Sequence, residues 1–534
     1  LTALVREPAA TPASERTAAR SPGVTAATAV LVGVAVAYGA YERWWVAAHP
    51  IGALTSDGAV IGLMARHLLH HGELPAYMWG QSYGGSLEVV VTAAIFLVAG
   101  TGVAQLLAGT AFTSAFAAFA LWRCGRQLVG EPAALLGALA LWVWPSLFLW
   151  RSLKPGGTYI IALGLALFAV SALARLRRGD ARTWVVASAG VWAGLAVWSS
   201  PMSLQLLVPA VLWCWRPLVA LGRRLWWLAA GAAVGALPAI AFGATHHLRN
   251  LSPPTGGSLL TGIPSRLYQF FQLEAPIALA VRVEGSFAWV LGPVGPLLYV
   301  AALGGFVAVA IAVRRGRAPR CALPVLTLVC LPVLFALNRL ANHPGQGRYV
   351  EIGFSMAALL VGVGLENAGR FVARRWQSAT HREARTLAVA ASGLVLLAVL
   401  GAVAVRTEPT WLAELPAGGV AVPPDDVALR ALLAAHGVRD AYAPYWLAYR
   451  TTFETGEQTT VVPEATDRYP PYDAAVAASA HPAYLFMARA RGLAHFERWC
   501  TRHGIRYAVW RRGVFAVVQP AARVLEPSLP HSAL

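Results

Sequence analysis

From Val24 onward the chain is a succession of long apolar runs broken by short arginine-bearing stretches, and near Arg406 that rhythm stops. The runs begin near Val24, Val103, Ala133, Pro155, Thr183, Met202, Leu225, Ser286, Cys321, Tyr349 and Thr386. A helix needs about 20 apolar residues to cross the hydrocarbon core, so the pattern predicts about eleven spans. A further apolar segment, Leu87 to Ala99, has only about a dozen residues and fits a re-entrant or interfacial helix better than a crossing. Past Arg406 charges of both signs return and apolar runs shorten, which predicts a small α/β domain over 406–534. Within it the spacing predicts a helix over Asp426–His436 closed by Gly437, a helical stretch near Tyr445–Glu454 and a strand over Gln458–Val462. A strand over Ala483–Met487, a helix over Leu493–His503 closed by Gly504, and a hairpin of Tyr507–Trp510 and Val514–Val518 turning at Arg511–Gly513 follow. The fold class is therefore mainly α, a polytopic helical membrane domain over 23–405 with an α/β domain behind it.

Composition agrees. Hydrophobic residues make up 57% of the 534 and charged residues 13%, with a mean hydropathy of +0.56, which is too apolar for a soluble globule. The net charge of +18 raises nucleic-acid binding as a class, but the placement of the arginines turns that charge into topology. With Leu87–Ala99 not crossing, the clusters Arg123–Arg126, Arg175–Arg182, Arg216–Arg224, Arg314–Arg320 and Arg370–Arg385 all fall on the side of the N-terminus. Arginine-rich loops mark the cytoplasmic side. The expectation is a multi-pass protein of the bacterial cytoplasmic membrane, with a cytoplasmic N-terminus, a periplasmic C-terminal domain, membrane lipids as partners and no nucleic acid. Residues 1–22 read as a disordered cytoplasmic tail, Val24–Tyr41 as an uncleaved first span, and 42–102 and 245–285 as the large periplasmic loops. The five cysteines are scattered without metal-like spacing, so neither a disulfide framework nor a zinc site is expected.

Candidate chemistry sits in the outer loops. Thr55 to Glu88 reads TSDGAVIGLMARHLLHHGELPAYMWGQSYGGSLE, in which Ser56 or Asp57 opens an amphipathic helix expected to lie along the membrane surface. Asp57 has two readings: a cap on that helix, or a carboxylate able to take a proton from a hydroxyl nucleophile. The flexible stretch after it carries Gln81 and Tyr83 and leads to Glu88, which together form a candidate acceptor or loop site. Arg151 and Lys154 lie in the tight loop Arg151–Gly157, whose glycines would let backbone N–H groups approach a phosphate. Arg348 and Tyr349 precede a predicted span, and Glu351 one turn inside it calls for a cation, for which Arg348 at i−3 is the expected partner. Arg151, Lys154, Arg348 and Tyr349 are the candidate contacts for a phosphate; the bland reading is arginines reaching lipid headgroups. In the tail, Tyr442, Tyr445, Trp446, Tyr449 and Arg450, with Arg468–Tyr472, make an aromatic and basic surface suited either to a glycan or to docking the tail.

A first outer loop with an Asp just after the first span, a surface helix and a short second helix resembles the GT-C superfamily of membrane glycosyltransferases, which includes protein O-mannosyltransferases and lipid A aminoarabinose transferases. SDGAVIGLMARHLL, WGQSYGGSLE, GRYV, YWLAYRTTFETGE and DRYPPYDA are similar to a bacterial family-39-like branch. The resemblance implies a polyprenyl-phosphate sugar as donor, a glycan, lipid or protein as acceptor, inverting hexosyl transfer at the periplasmic face, and Asp57 as base. Many relatives carry an acidic pair where this chain has Asp57–Gly58, which weakens a metal-dependent version; no cofactor is firmly implied, and a divalent metal stays open. A flippase for lipid-linked sugars and a non-catalytic membrane scaffold are the rival classes.

Overall fold

The computed structural model describes residues 22–145, 147–156, 158–251, 262–284, 286–338, 341, 347–375, 381–414, 427–463, 468–522 and 524. Residues 1–21 of the expected tail, Gly157, Gly285, the loop 342–346 and Asp426 lie outside the described residues. The chain is mainly helical, and its first helices are α1 (Pro22–Ala48), α2 (Ser56–His71), α3 (Leu87–Ala99), α4 (Val103–Leu128) and α5 (Glu131–Trp142). Among the described residues six helices are long and apolar enough to cross a membrane: α4, Tyr159–Arg177, Val294–Arg314, Pro319–Ala336, Glu351–Arg375 and Thr386–Thr407. The pair Gly222–Gly235 and Leu237–Thr245, bent by 66°, makes a seventh if it is one broken span. Shorter apolar helices at α5, Thr183–Ser199 and Pro201–Trp213 occupy three further predicted runs. The final long helix, His381–Glu414, runs through Arg406 without a break.

Contacts divide the chain into two compact units: one of residues 1–44, 112–152 and 159–411, the other of 45–111, 153–158 and 412–534. The first is the helical membrane unit, and small residues let its helices approach to backbone contact. A Cβ on Gly362 would come 2.1 Å from the Ala133 carbonyl oxygen of α5, and one on Gly190 would come 2.1 Å from that of Leu228. Apolar burial drives little helix association in lipid, so such close backbone contact is what specifies the pairing.

The second unit holds the tail's five-stranded sheet, in the order β2-β1-β3-β5-β4. Its strands are β1 (Asp440–Ala443), β2 (Thr460–Pro463), β3 (Ala483–Met487), β4 (Tyr507–Arg512) and β5 (Phe515–Pro520). β1 pairs in parallel with β2 and β3, while β5 lies antiparallel to β3 and β4. Helices Tyr445–Glu454, Pro470–Ala478 and Arg491–Arg502 join successive strands. β1 and the helix Pro470–Ala478 are not predicted from sequence, because a four-residue strand and a short helix opening on two prolines show no periodicity.

The same unit buries α2 on more than one face, where the sequence predicts an amphipathic helix. Ser56, Gly58 to Ala65 and His67 of α2 are buried, in one core with Val89, Ala93 and Phe96 of α3 and with Tyr449 and Phe453 of the tail. The reason lies in GAVIGLMA, residues 58–65, which is small or apolar on every face; a helix apolar all round is buried by protein rather than laid on an interface. Gly62 marks the closest approach, since a Cβ there would sit 2.5 Å from the Phe453 ring.

Candidate functional site

The first turn of α2 is capped by Thr55, not by Ser56 or Asp57. Thr55 is extended (φ −92°, ψ 162°) and its hydroxyl accepts from Gly58 N at 3.2 Å, which satisfies one of the free amides of the helix start. Asp57 is thereby released from capping duty and its side chain turns to the tail. Its Oδ1 accepts from Arg468 Nη2 at 2.9 Å and from the Tyr445 hydroxyl. Arg468 also donates to the Tyr445 oxygen, from Nε at 3.0 Å and Nη2 at 2.8 Å, and the Gln81 side-chain oxygen faces the same guanidinium. The Asp57 side chain is 36% exposed and that of Arg468 only 12%, so the carboxylate opens to solvent while its cation lies behind it. Among the described residues no hydrogen bond reaches Asp57 Oδ2. Burial, reinforced by Asp57, pushes the Tyr445 hydroxyl well above the ordinary tyrosine range. Burial works against charge on Arg468, but Tyr445 and Asp57 outweigh it and hold the guanidinium above its usual value. Tyr83, 38% exposed, adds to that field. Gln81, Tyr83 and Asp57 are thus brought together as candidates, and Arg468 and Tyr445, legible in the sequence only as part of an aromatic and basic surface, prove to be their partners.

Glu88 belongs elsewhere. It is 3% exposed; its Oε2 accepts from Gly156 N at 3.1 Å, its Oε1 from the Thr110 hydroxyl at 3.1 Å, and it takes a further backbone bond from Thr158. The Gly156 amide of the glycine loop turns to this carboxylate, so both Glu88 oxygens are engaged inside the protein. The loop lies against the start of α2: a Cβ on Gly156 would come 3.0 Å from the Asp57 carbonyl oxygen. Lys154 Nζ donates to the Ala53 carbonyl at 2.8 Å, tying the same loop to residues just before α2.

In the membrane unit, Glu351 is 1% exposed at the head of its helix, and its ion-pair partner is Arg151, with Nε 3.9 Å from Oε2. The expected partner, Arg348, turns away: it donates to the Tyr349 hydroxyl at 2.8 Å and lies 4.7 Å over that ring. Arg151 reaches Glu351 because it comes from a separate segment, whereas Arg348 precedes the helix in an irregular turn and has no helical i−3 geometry. Among the described residues neither carboxylate oxygen of Glu351 makes a hydrogen bond, nor do Arg151 Nη2 and Arg348 Nε, although all four are buried. Glu284 joins the group from the loop before Val294: burial, with Glu274 and Glu351 close by and Arg151 opposing, pushes its carboxyl up to about 7. Buried polar atoms seldom stay unsatisfied in folded proteins, so this concentration of unused hydrogen-bonding capacity marks a place for a polar ligand or water.

A third cluster surrounds His67. Its Nδ1 lies 3.1 Å from Glu73 Oε2 and its Nε2 3.1 Å from both Glu457 Oε2 and the Tyr472 hydroxyl. Tyr472 donates to Glu457 at 2.7 Å, Arg66 Nη1 is 3.6 Å from the other Glu457 oxygen, and Tyr469 donates to Glu73 at 3.2 Å. Trp79 and the neighbouring His71 meet the ring edge-on. Burial opposes a charge on this imidazole, but Glu457 and Glu73 prevail and it titrates above its ordinary 6.5. Among the described residues no three His, Cys, Asp or Glu side chains converge to hold a metal ion. Asp57 is already faced by a guanidinium and a hydroxyl, a set that does not fit a divalent cation.

Solved structures with the same architecture are GT-C proteins, and this chain has the GT-C membrane fold. ArnT from Cupriavidus metallidurans bound to undecaprenyl phosphate matches at a TM-score of 0.56 and 14% identity, over 93% of this chain and 98% of that one. Its apo form matches at 0.57 and 13%, with the same coverage. The Archaeoglobus fulgidus oligosaccharyltransferase tethered with an acceptor peptide matches at 0.50 and 12%, over 92% of this chain and 74% of that one. No protein-family model matches the chain, and no curated protein sequence does.

Proposed function

We propose that this GT-C-fold chain is a glycosyltransferase that moves a sugar from a polyprenyl-phosphate carrier to a hydroxyl-bearing acceptor at the periplasmic membrane face, with Asp57 as general base. The observation that carries the reading is Asp57 itself: relieved of capping by Thr55, held through Oδ1, and open at Oδ2. In a single displacement the acceptor oxygen attacks the anomeric carbon and its proton passes to Asp57 Oδ2. The bond from that carbon to the phosphate oxygen breaks, and the polyprenyl phosphate leaves with the bonding pair; one displacement inverts the anomeric centre. The fold shared with a protein crystallised on undecaprenyl phosphate supports this donor class. Fixed donors aimed at a leaving phosphate lower the barrier by stabilising its growing charge. Within the membrane unit, Arg151 and Arg348, each with a buried donor nitrogen that is not engaged among the described residues, are the proposed contacts for a phosphate, with Tyr349 orienting Arg348.

The test is release of free polyprenyl phosphate from radiolabelled polyprenyl-phosphate hexoses by the detergent-purified chain. General-base catalysis contributes roughly 100- to 10,000-fold, so Asp57→Asn should lose at least about 100-fold in rate. Release that survives the substitution refutes the role of Asp57. Passage of intact lipid-linked sugar across vesicles, with no glycosidic bond made, would identify a flippase instead.

A further inference from the structure

We infer that the C-terminal tail completes the reaction centre, with Tyr445 and Arg468 acting as positioning residues that hold Asp57 in the one orientation in which its free oxygen can take the acceptor's proton. The inference rests on Asp57 being the base. It is carried by the way the donors that face Asp57 are committed. Arg468 directs Nε and Nη2 into the Tyr445 oxygen and Nη2 into Asp57, while Gln81 takes up the remaining edge. A guanidinium so engaged, with 12% of its side chain exposed, is not disposed to bind a phosphate. Tyr445 accepts two N–H groups from Arg468, so its single O–H proton has one direction left, toward Asp57 Oδ1. Both donors thus converge on one carboxylate oxygen, which fixes the rotation of the group and leaves the other oxygen outward.

The supports behind this triad are equally specific. Ser56 donates its hydroxyl proton to the Tyr445 carbonyl, locking the first turn of α2 to the backbone of the tail helix. Arg468 N donates to the hydroxyl of the fully buried Tyr449 at 2.8 Å, so the arginine is rooted in the same helix, one turn on. Gly62 against Phe453 sets the distance between α2 and that helix at a value no larger residue permits. A base held at side-chain, backbone and helix-packing level loses no rate to rotation, whereas a misplacement of about 1 Å can lower rate by about 100-fold.

The test uses the full chain in detergent, with undecaprenyl phosphate carrying radiolabelled mannose, glucose or galactose as separate probes and host membranes supplying acceptor. Tyr445→Phe and Arg468→Lys should each lower kcat by roughly ten- to a hundredfold, with the KM for donor within about twofold and cooperative unfolding retained. Arg511→Gln, at an exposed pair remote from the triad in sequence, is the unaffected control. Wild-type kcat in both tail variants alongside an inactive Asp57→Asn overturns the positioning role and leaves the base assignment standing; an active Asp57→Asn removes both. A raised KM at unchanged kcat also overturns it, because the tail residues would then touch substrate instead of Asp57. A readout independent of turnover is amide hydrogen exchange of residues 55–60, which Arg468→Lys should accelerate; unchanged exchange in a folded variant refutes the clamp.

Discussion

Glu88 offers the sharpest check on how the loop beneath Asp57 is held. It accepts from Gly156 N, Thr158 N and the Thr110 hydroxyl inside the protein, and a buried donor left without its acceptor costs about 1–3 kcal/mol. Glu88→Gln keeps one carbonyl oxygen but sets an NH2 group against a donor, so one bond is lost and about 1–3 kcal/mol with it. Glu88→Leu removes every acceptor and strands at least two donors, for a loss of about 2–6 kcal/mol, less whatever is regained by no longer burying a carboxylate. The expected order of stability is wild type, then Gln, then Leu, read as the midpoint of thermal unfolding by tryptophan fluorescence in detergent. Activity should fall in the same order, since the Gly156 backbone lies against the Asp57 carbonyl and a loosened loop displaces that turn. A Leu variant as stable as the wild type would refute the anchor. A stable Gln variant with a raised KM for acceptor would return Glu88 to the acceptor role expected from sequence.

Two further outcomes are expected. Arg151→Leu leaves Glu351 buried without its cation and should destabilise the protein by about 3–5 kcal/mol, whereas Arg151→Leu with Glu351→Leu should recover most of that stability and still weaken donor binding; an equal loss in both variants would argue against the pair. The His67 clasp is pH-dependent with a definite sign. His67 titrates above 6.5, so its contribution is complete below that value and fades as pH rises through its folded-state value; Glu73 and Glu457 lie below 4.5, and their contribution fades as pH falls through theirs. The clasp should therefore hold best between about pH 4.5 and 6.5, and His67→Gln should flatten the decline in melting temperature from pH 6 to pH 8. A His67→Gln profile parallel to the wild type over that range would show that the ring does not titrate there.

The apolar runs alone determine that this is a polytopic helical chain with a small α/β tail, because the length of a span and the period of a strand are local properties written in consecutive residues. They also mark Asp57, Arg151 and Arg348 as chemically notable, since an ionisable group at the end of an apolar run demands an explanation, and the flexible Gly- and Ser-rich stretch after α2 draws attention to Gln81 and Tyr83. What each is bonded to was not legible. Arg468 is 411 residues from Asp57, Glu88 is 68 from Gly156, and Arg151 is 200 from Glu351. Local spacing points instead to Arg348 for Glu351 and to an amphipathic α2, and it leaves Asp57 between capping and proton transfer. Periodicity reports which face of a helix is apolar but not whether lipid or protein covers it, and hydrogen bonds between distant segments leave no periodic trace. Only the folded chain brings the tail's Tyr445 and Arg468 to Asp57, because partner choice is decided by packing of whole elements, here Gly62 of α2 against Phe453, rather than by neighbours in sequence.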